Sequence, residues 1–306
     1  MKPVISRILT ENLDIKPLEK VLIVTDTKKL GIAKMFFEAS RKINLESNLI
    51  MMEPRLRDGE EPTEAVAEAM KASDVVVIVT SKSLTHTKAV KEARSNARIA
   101  SMPNLEKTSF THGLAADLQT IKKNVDKMFL KLEDSNFVEV TSKNGTNVYF
   151  SVRGREWRKD EGSIKNKGDL SNLPAGEVYI APLEDSVNGT IVFDYFPISK
   201  GKLKLEVDNG LVKEMKGDKR KLQRIFKQLG KSARQVAEFG IGCNHKAKLD
   251  GILESEKVLG TVHFALGNNV NFGGRNSVQF HLDGIIKKPT VKVDNRIIIK
   301  EGKWRI

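Results

Sequence analysis

The chain holds a single cysteine, Cys243, among 306 residues. That excludes an internal disulfide and any zinc cage built on thiolates, which needs at least two in the usual structural sites. Aromatic residues are scarce at 6%, with two tryptophans and three tyrosines. No uncharged apolar run approaches the roughly 18 residues that a membrane span requires. The opening MKPVISRILTENLDIKP interrupts its apolar residues with charges, unlike a secretory leader. The expectation is a cytoplasmic protein with no membrane partner. Also missing are a G-x-G-x-x-G after the first strand, where the turn reads TDTKKLG, and any G-x-x-x-x-G-K-[ST] loop, so no nucleotide site is expected.

Present in abundance is positive charge, a formal +13 with a pI near 9.6. A clustered basic face would bind phosphates by counterion release, but the lysines run from Lys2 to Lys303 without clustering. The charge therefore reads as solvated surface, and no nucleic-acid partner is expected. The length allows two domains, and 40% hydrophobic with 30% charged residues is ordinary for a globular protein.

Up to residue 136 the pattern alternates strand and helix. KVLIVTD (20–26) and DVVVIVTS (74–81) are continuous apolar runs of the buried parallel type. NLIMME (48–53) and RIASMP (98–103) supply two more strands, with helical spacing at 31–43, 61–73 and 85–97. Thr85 and Thr87, around His86, stand where they would cap the last of these helices. A longer helix is expected over 114–132. These elements specify a parallel α/β sheet with flanking helices, domain 1–136. From Phe137 the period changes to two, and FVEVTSKNGTNVYFSVRG reads as a hairpin with a type I′ turn at Asn144-Gly145. Further strands are expected at 176–182, 189–196, 201–217 and near the C-terminus, interrupted by one helix from about Lys219 to Phe239. Domain 137–306 is thus a mostly antiparallel β domain with a helix.

Its most informative stretch is GTVHFALGNNVNFGGRNSVQFHLD (260–283), with two of the five histidines of the chain. His281 and Asp283 are two apart in an extended run and leave one face of a strand about 6.6 Å apart. His263 lies in a second such run, and the Gly/Asn-rich segment 267–276 between them asks for positive φ. By residue type and spacing this is either a metal site or a pair of histidines satisfied in a core.

Four motifs narrow the choice. NLPAGEVYIAPLEDSVNGTIVFD (172–194), AEFGIGCN (237–244), GTVHFALGNNVNFGG (260–274) and FHLDGII (280–286) resemble the thermophilic metalloaminopeptidases of the aminopeptidase T, or leucyl aminopeptidase, type. SKSLTHTKA in the first domain resembles that family too. The resemblance implies a dimeric hydrolase with two divalent ions (Zn, Co or Mn) held by Glu177, Glu238, His263, His281 and Asp283. Glu177 and Glu238 would also be its catalytic carboxylates. Its substrates would be short peptides with a free N-terminus, cleaved at the first bond by a metal-activated water. The chain departs from the family at its catalytic tyrosine: Val270 stands at the aligned position, followed by Phe272. His245 and Cys243, close to Glu238 in sequence, are further candidates near the site, more simply read as an exposed loop residue and a buried thiol.

A second reading keeps the fold and changes the chemistry. Ring-cleaving dioxygenases that act on dihydroxypyridines look similar and use one Fe(II) held by two histidines and a carboxylate, a triad that His263, His281 and Asp283 would supply. A third is a metal-binding homologue without peptidase activity.

Overall fold

The computed structural model describes residues 1–249 and 252–306, with the side chain of residue 252 also outside the description. It falls into two compact units, one of residues 1–122 and 160–175 and the other of residues 123–159 and 176–306.

The first unit is built on a five-stranded parallel sheet comprising β1 (Val21–Asp26), β2 (Ser47–Met52), β3 (Val75–Val79), β4 (Arg98–Ser101) and β8 (Leu170–Asn172), in the order β2-β1-β3-β4-β8. Every residue of β1 and β3 is buried because both sheet faces are covered. Val21, Ile23, Val75 and Val77 pack with Ile32 and Phe36 of the helix Leu30–Ser40, while Leu22, Val24, Val76 and Ile78 pack with Val66, Met70 and Val90 of the helices Glu64–Lys71 and Lys88–Ala93. Thr87 caps the last of these and accepts from the Val90 amide. The expected parallel α/β organisation is present, with β8 added: three residues, LSN, are too short to show any period.

The second unit has two antiparallel sheets. The larger contains β5 (Phe137–Thr141), β6 (Asn147–Ser151), β10 (Asn188–Phe193), β11 (Leu203–Asp208), β12 (Leu211–Gly217), β16 (Thr290–Val293), β17 (Arg296–Lys300) and β18 (Lys303–Trp304), in the order β12-β11-β10-β6-β5-β16-β17-β18. The smaller contains β7 (Arg158–Asp160), β9 (Glu177–Ile180), β13 (Val236–Gly242), β14 (Val262–Gly267) and β15 (His281–Ile286), in the order β15-β14-β13-β9-β7. Between the sheets lie interlocked rings: Phe150 of β6 stands 5.0 Å from Phe239 of β13 and 5.7 Å from Phe264 of β14, and Phe239 lies 5.0 Å from Phe264. Trp157 closes one edge against Phe239. Edge-to-face and tilted packing of this kind adds to the burial of each ring.

Three expectations are corrected. The helix placed over 219–239 spans only Arg220–Leu229 and stops at Gly230, whose φ of 73° suits a residue without a Cβ. Beyond Arg234 the chain enters the strand β13, which carries the AEFGIG motif. The hairpin of β5 and β6 forms, but through a three-residue loop, Lys143 to Gly145, closed by Ser142 and Thr146, so its register is shifted by one from that of a two-residue type I′ turn. Gly145 alone takes a positive φ, 106°, and the Asn144 side chain instead accepts from Thr146 N and donates to Val192 O. The helix expected over 114–132 is shorter, Leu118–Phe129, preceded by a 3-10 turn at Gly113–Ala115. No helix among the described residues is long and apolar enough to cross a membrane.

Truncating the ring at the centre of the aromatic cluster should open a cavity that the sheets cannot close. Phe239→Ala is expected to lower the free energy of urea unfolding by about 3–5 kcal/mol with little change in the denaturant slope.

Candidate metal centre

Alternation along β13 and β14 gives the smaller sheet two unlike faces. Phe239 and Ile241, with Val262, Phe264 and Leu266, face the core; Glu238, Gly240 and Gly242, with His263, Ala265 and Gly267, face the other way. Register aligns this second face across four strands. Glu238 opposes Ala265, which opposes Asp283; Gly240 opposes His263; Gly242 opposes Glu177; Gly267 opposes His281. All five sequence-derived candidates therefore lie on one face of β15-β14-β13-β9. The small residues between them leave the space. A Cβ on Gly240 would lie 2.1 Å from His263 Cε1 and 2.2 Å from Nε2, so the imidazole rests on the bare backbone of β13. A bulge between Val236 and Glu238 shifts the register just where Glu238 enters the face.

The side chains meet. His263 Nε2 lies 3.4 Å from Glu238 Oε1 and 3.6 Å from Glu177 Oε2. His281 Nε2 lies 3.3 Å from Glu238 Oε2 and 3.5 Å from Asp283 Oδ2. Donors on a tetrahedral ion with bonds of about 2.1 Å are separated by about 3.4 Å, so these spacings fit the edges of a coordination shell. Ligand atoms of Glu238, His263 and Asp283 all fall within 4.8 Å of one another. Glu177 Oε2, on the side of His263 Nε2, is buried without a hydrogen-bond partner, as expected where an ion completes the set. His281 is oriented from outside by a 2.8 Å contact between Nδ1 and the carbonyl of Asn268. That contact makes Nδ1 the protonated nitrogen of a neutral ring and frees Nε2 as a ligand.

The Gly/Asn-rich loop owes its composition to this task. Gly267 and Gly273 take φ of 109° and 87°. Asn269, fully buried, accepts from the Asn276 amide through Oδ1 at 2.8 Å and donates through Nδ2 to Glu184. Phe272 of this loop packs edge-on against both His281, at 5.3 Å between centroids, and Tyr179, at 5.7 Å. Tyr179 is two residues beyond Glu177 on β9 and leaves the same face, so a tyrosine does neighbour the loop, from another strand. Val270 is 47% exposed. His245 is exposed, and Cys243 is buried, its thiol pKa pushed up by burial and by the charge of Glu177.

Two further ionisable residues belong to the site, and sequence reasoning misses them. Lys257 is 1% exposed, and its Nζ donates to Glu177 Oε1 and lies 3.3 Å from Glu256 Oε2. Glu256 is itself buried, and burial together with the Asp283 charge pushes its pKa well up. In ESEK (254–257) both look like ordinary surface charge.

Crowded acids hold protons on the imidazoles. Burial works against the charged form of His263, but its hydrogen bond to Glu238 and the charges of Glu177, Asp283 and Glu238 raise its pKa to about 9. For His281, burial is likewise overcome by Asp283 and Glu238, which raise it to about 10. Glu238 is the converse case: burial would raise it, and the hydrogen bonds it accepts from both histidines hold it well below the usual carboxylate range. Asp283 is raised by burial against the pull of His281.

Comparison with known proteins decides the class. The sequence matches the 2,5-dihydroxypyridine 5,6-dioxygenase (NicX) family over residues 6–305, and the chain belongs to that family. A 2,5-dihydroxypyridine dioxygenase from Pseudomonas putida KT2440 has the same fold, with a TM-score of 0.82 at 17% identity over 99% of this chain and 96% of that one. AmpT from Thermus thermophilus is also similar, at a TM-score of 0.73 and 14% identity over 100% of this chain and 98% of that one. No curated protein sequence matches significantly. The aminopeptidase-like fold is therefore present, but the expectation of a hydrolase, a metalloprotease acting as an aminopeptidase, is overturned by the family match. The physical reason for the error is that imidazole and carboxylate donors suit several divalent ions alike, so the ligand types do not by themselves state the reaction.

Two measurements probe the centre. At pH 7 both histidines carry protons in the metal-free protein, and a metal needs them neutral. Binding of a divalent ion should therefore release protons, and its apparent affinity should rise with pH until about 9–10, as read by calorimetry in buffers of different ionisation enthalpy. Gly240→Ala should displace the His263 ring and weaken metal binding about 10–100-fold in a chelator competition, with the fold retained.

Proposed function

We propose that this protein is an Fe(II)-dependent dioxygenase that opens the ring of a small hydroxylated pyridine of the 2,5-dihydroxypyridine type. The observation that carries the reading is the meeting of Glu238, His263 and Asp283 on adjacent strands, with His281 beside Glu238 and Asp283 at the open side, in a chain whose family has that activity in its name. Two imidazoles and a carboxylate with open positions are the donor set of non-haem Fe(II) oxygenases. Bound iron would supply the one-electron chemistry that lets O2 react with an aromatic ring.

The rest is the work of this chain's own side chains. His263 and His281 offer Nε2, the second held in place by Asn268, and Asp283 offers a carboxylate oxygen. Glu238, between the two imidazoles, faces both Nε2 atoms with its two oxygens in the metal-free protein, contacts that a bound ion would replace. His263 is sealed at 1% exposure, whereas the His281 side chain is 24% exposed and marks the open side. On that side Phe272 and Tyr179 provide aromatic surface beside the donors, suited to a planar heterocycle rather than to an extended peptide.

The test is oxygen consumption. Protein reloaded anaerobically with Fe(II) and mixed with 2,5-dihydroxypyridine and air should take up one O2 per ring lost, and His263→Ala should abolish uptake. Hydrolysis of amino-acid anilides without oxygen uptake would overturn the reading.

A further inference from the structure

We infer that Lys257 occupies, with its ammonium group, the position of a second cation, and so holds this site to a single metal ion. The inference rests on the single-metal reading above and gives it a structural cause.

The candidate donors divide into two overlapping sets that share Glu238. One oxygen of Glu238 faces His263, which also faces Glu177; the other faces His281, which also faces Asp283. A carboxylate shared in this way is the usual bridge of a two-metal centre, with ions about 3.5–4 Å apart. Side-chain types alone would allow two ions. What differs is Glu177. Its Oε1 accepts from Lys257 Nζ, leaving only Oε2 directed at His263. A second ion on Glu177 would have to sit beside a fixed ammonium in a buried site, where like charges repel strongly.

Lys257 is built in rather than swung in. Its carbonyl accepts from the Asn244 amide at 2.7 Å, the Leu259 amide donates to Asn244 O at 3.1 Å, and Asn244 bridges to Val258. Gly242 permits this approach, because a Cβ there would stand 2.1 Å from Val258 O. At 1% exposure the ammonium is held between Glu177 and Glu256. An ammonium placed so deep is costly unless it answers buried negative charge, and here that charge is a carboxylate that the ligand set would otherwise use.

The experiment counts ions without substrate, so its outcome is independent of whether ring cleavage is found. Metal-free protein is titrated with Co(II), following the visible absorption, and bound metal is measured after desalting. Wild type should break at one Co(II) per chain and Lys257→Met at two, while Lys257→Arg, which keeps the cation, should stay at one. The double variant Lys257→Met/Glu177→Gln should return to one, which assigns the second ion to Glu177; where Lys257→Met folds poorly without metal, Lys257→Gln, which also removes the charge, takes its place and should break at two. Two ions in wild type would overturn the inference. So would one ion in a folded Lys257→Met.

Discussion

Burial of acid against a sheet is the constraint on which the second unit turns. Glu177, Glu238, Glu256 and Asp283 are withdrawn from water within reach of two imidazoles and one ammonium. Isolated carboxylates cannot remain ionised in such a place without partners. The metal-free site meets the demand by keeping His263 and His281 protonated far above their ordinary range. A divalent ion meets it better, since it can replace both protons at once. The site is thus poised for a cation before one arrives, and its affinity is tied to pH through the same charges that create it.

That concentration of charge is tolerable because the opposite face of the same strands is among the most apolar in the molecule. Phe239 and Phe264, one residue from Glu238 and His263, interlock with Phe150 from the larger sheet. Period-two alternation turns the short runs EFGIG and HFALG into a rigid support on one side and a ligand shelf on the other. Glycine and alanine fill the shelf positions between ligands, and the contact of Gly240 with the His263 ring shows why: any larger residue would take the space of the imidazole. Precision in the donors therefore follows from the aromatic core beneath them and from the Asn268 and Asn269 contacts that fix the loop beside them.

Much of this is legible in the sequence. The parallel sheet announces itself through the uninterrupted VLIVTD and VVVIV runs, and His281 with Asp283 through their spacing. Glu177 and Glu238 are visible only by resemblance, because one glutamate among 39 acidic residues carries no signal of its own. The strand that holds Glu238 is hidden behind the amphipathic helix before it. The stop is made by Gly230, and no period separates the end of a helix from the start of a buried strand over so few residues. Lys257 and Glu256 are illegible for a different reason: their burial arises from the pairing of Asn244 with Lys257 and Val258, a contact that local sequence does not encode.

Hydrolase and oxygenase resemblances can both be carried by one set of residues. Imidazole and carboxylate donors suit zinc, manganese and Fe(II) alike, so donor identity fixes that a metal binds before it fixes what the metal does. The number of ions that the donors can share and the surface at the open side bear on the reaction as well. In this chain the shared carboxylate, Glu238, remains in place, while Glu177 is engaged by an ammonium and the open side is walled by the rings of Phe272 and Tyr179. Hydrolysis by a paired-metal mechanism needs both donor sets free to place a water between two ions. A single ion beside an aromatic wall suits a planar ring and O2. A lysine that reaches a carboxylate first can thus change what a donor set holds without changing the fold that presents it.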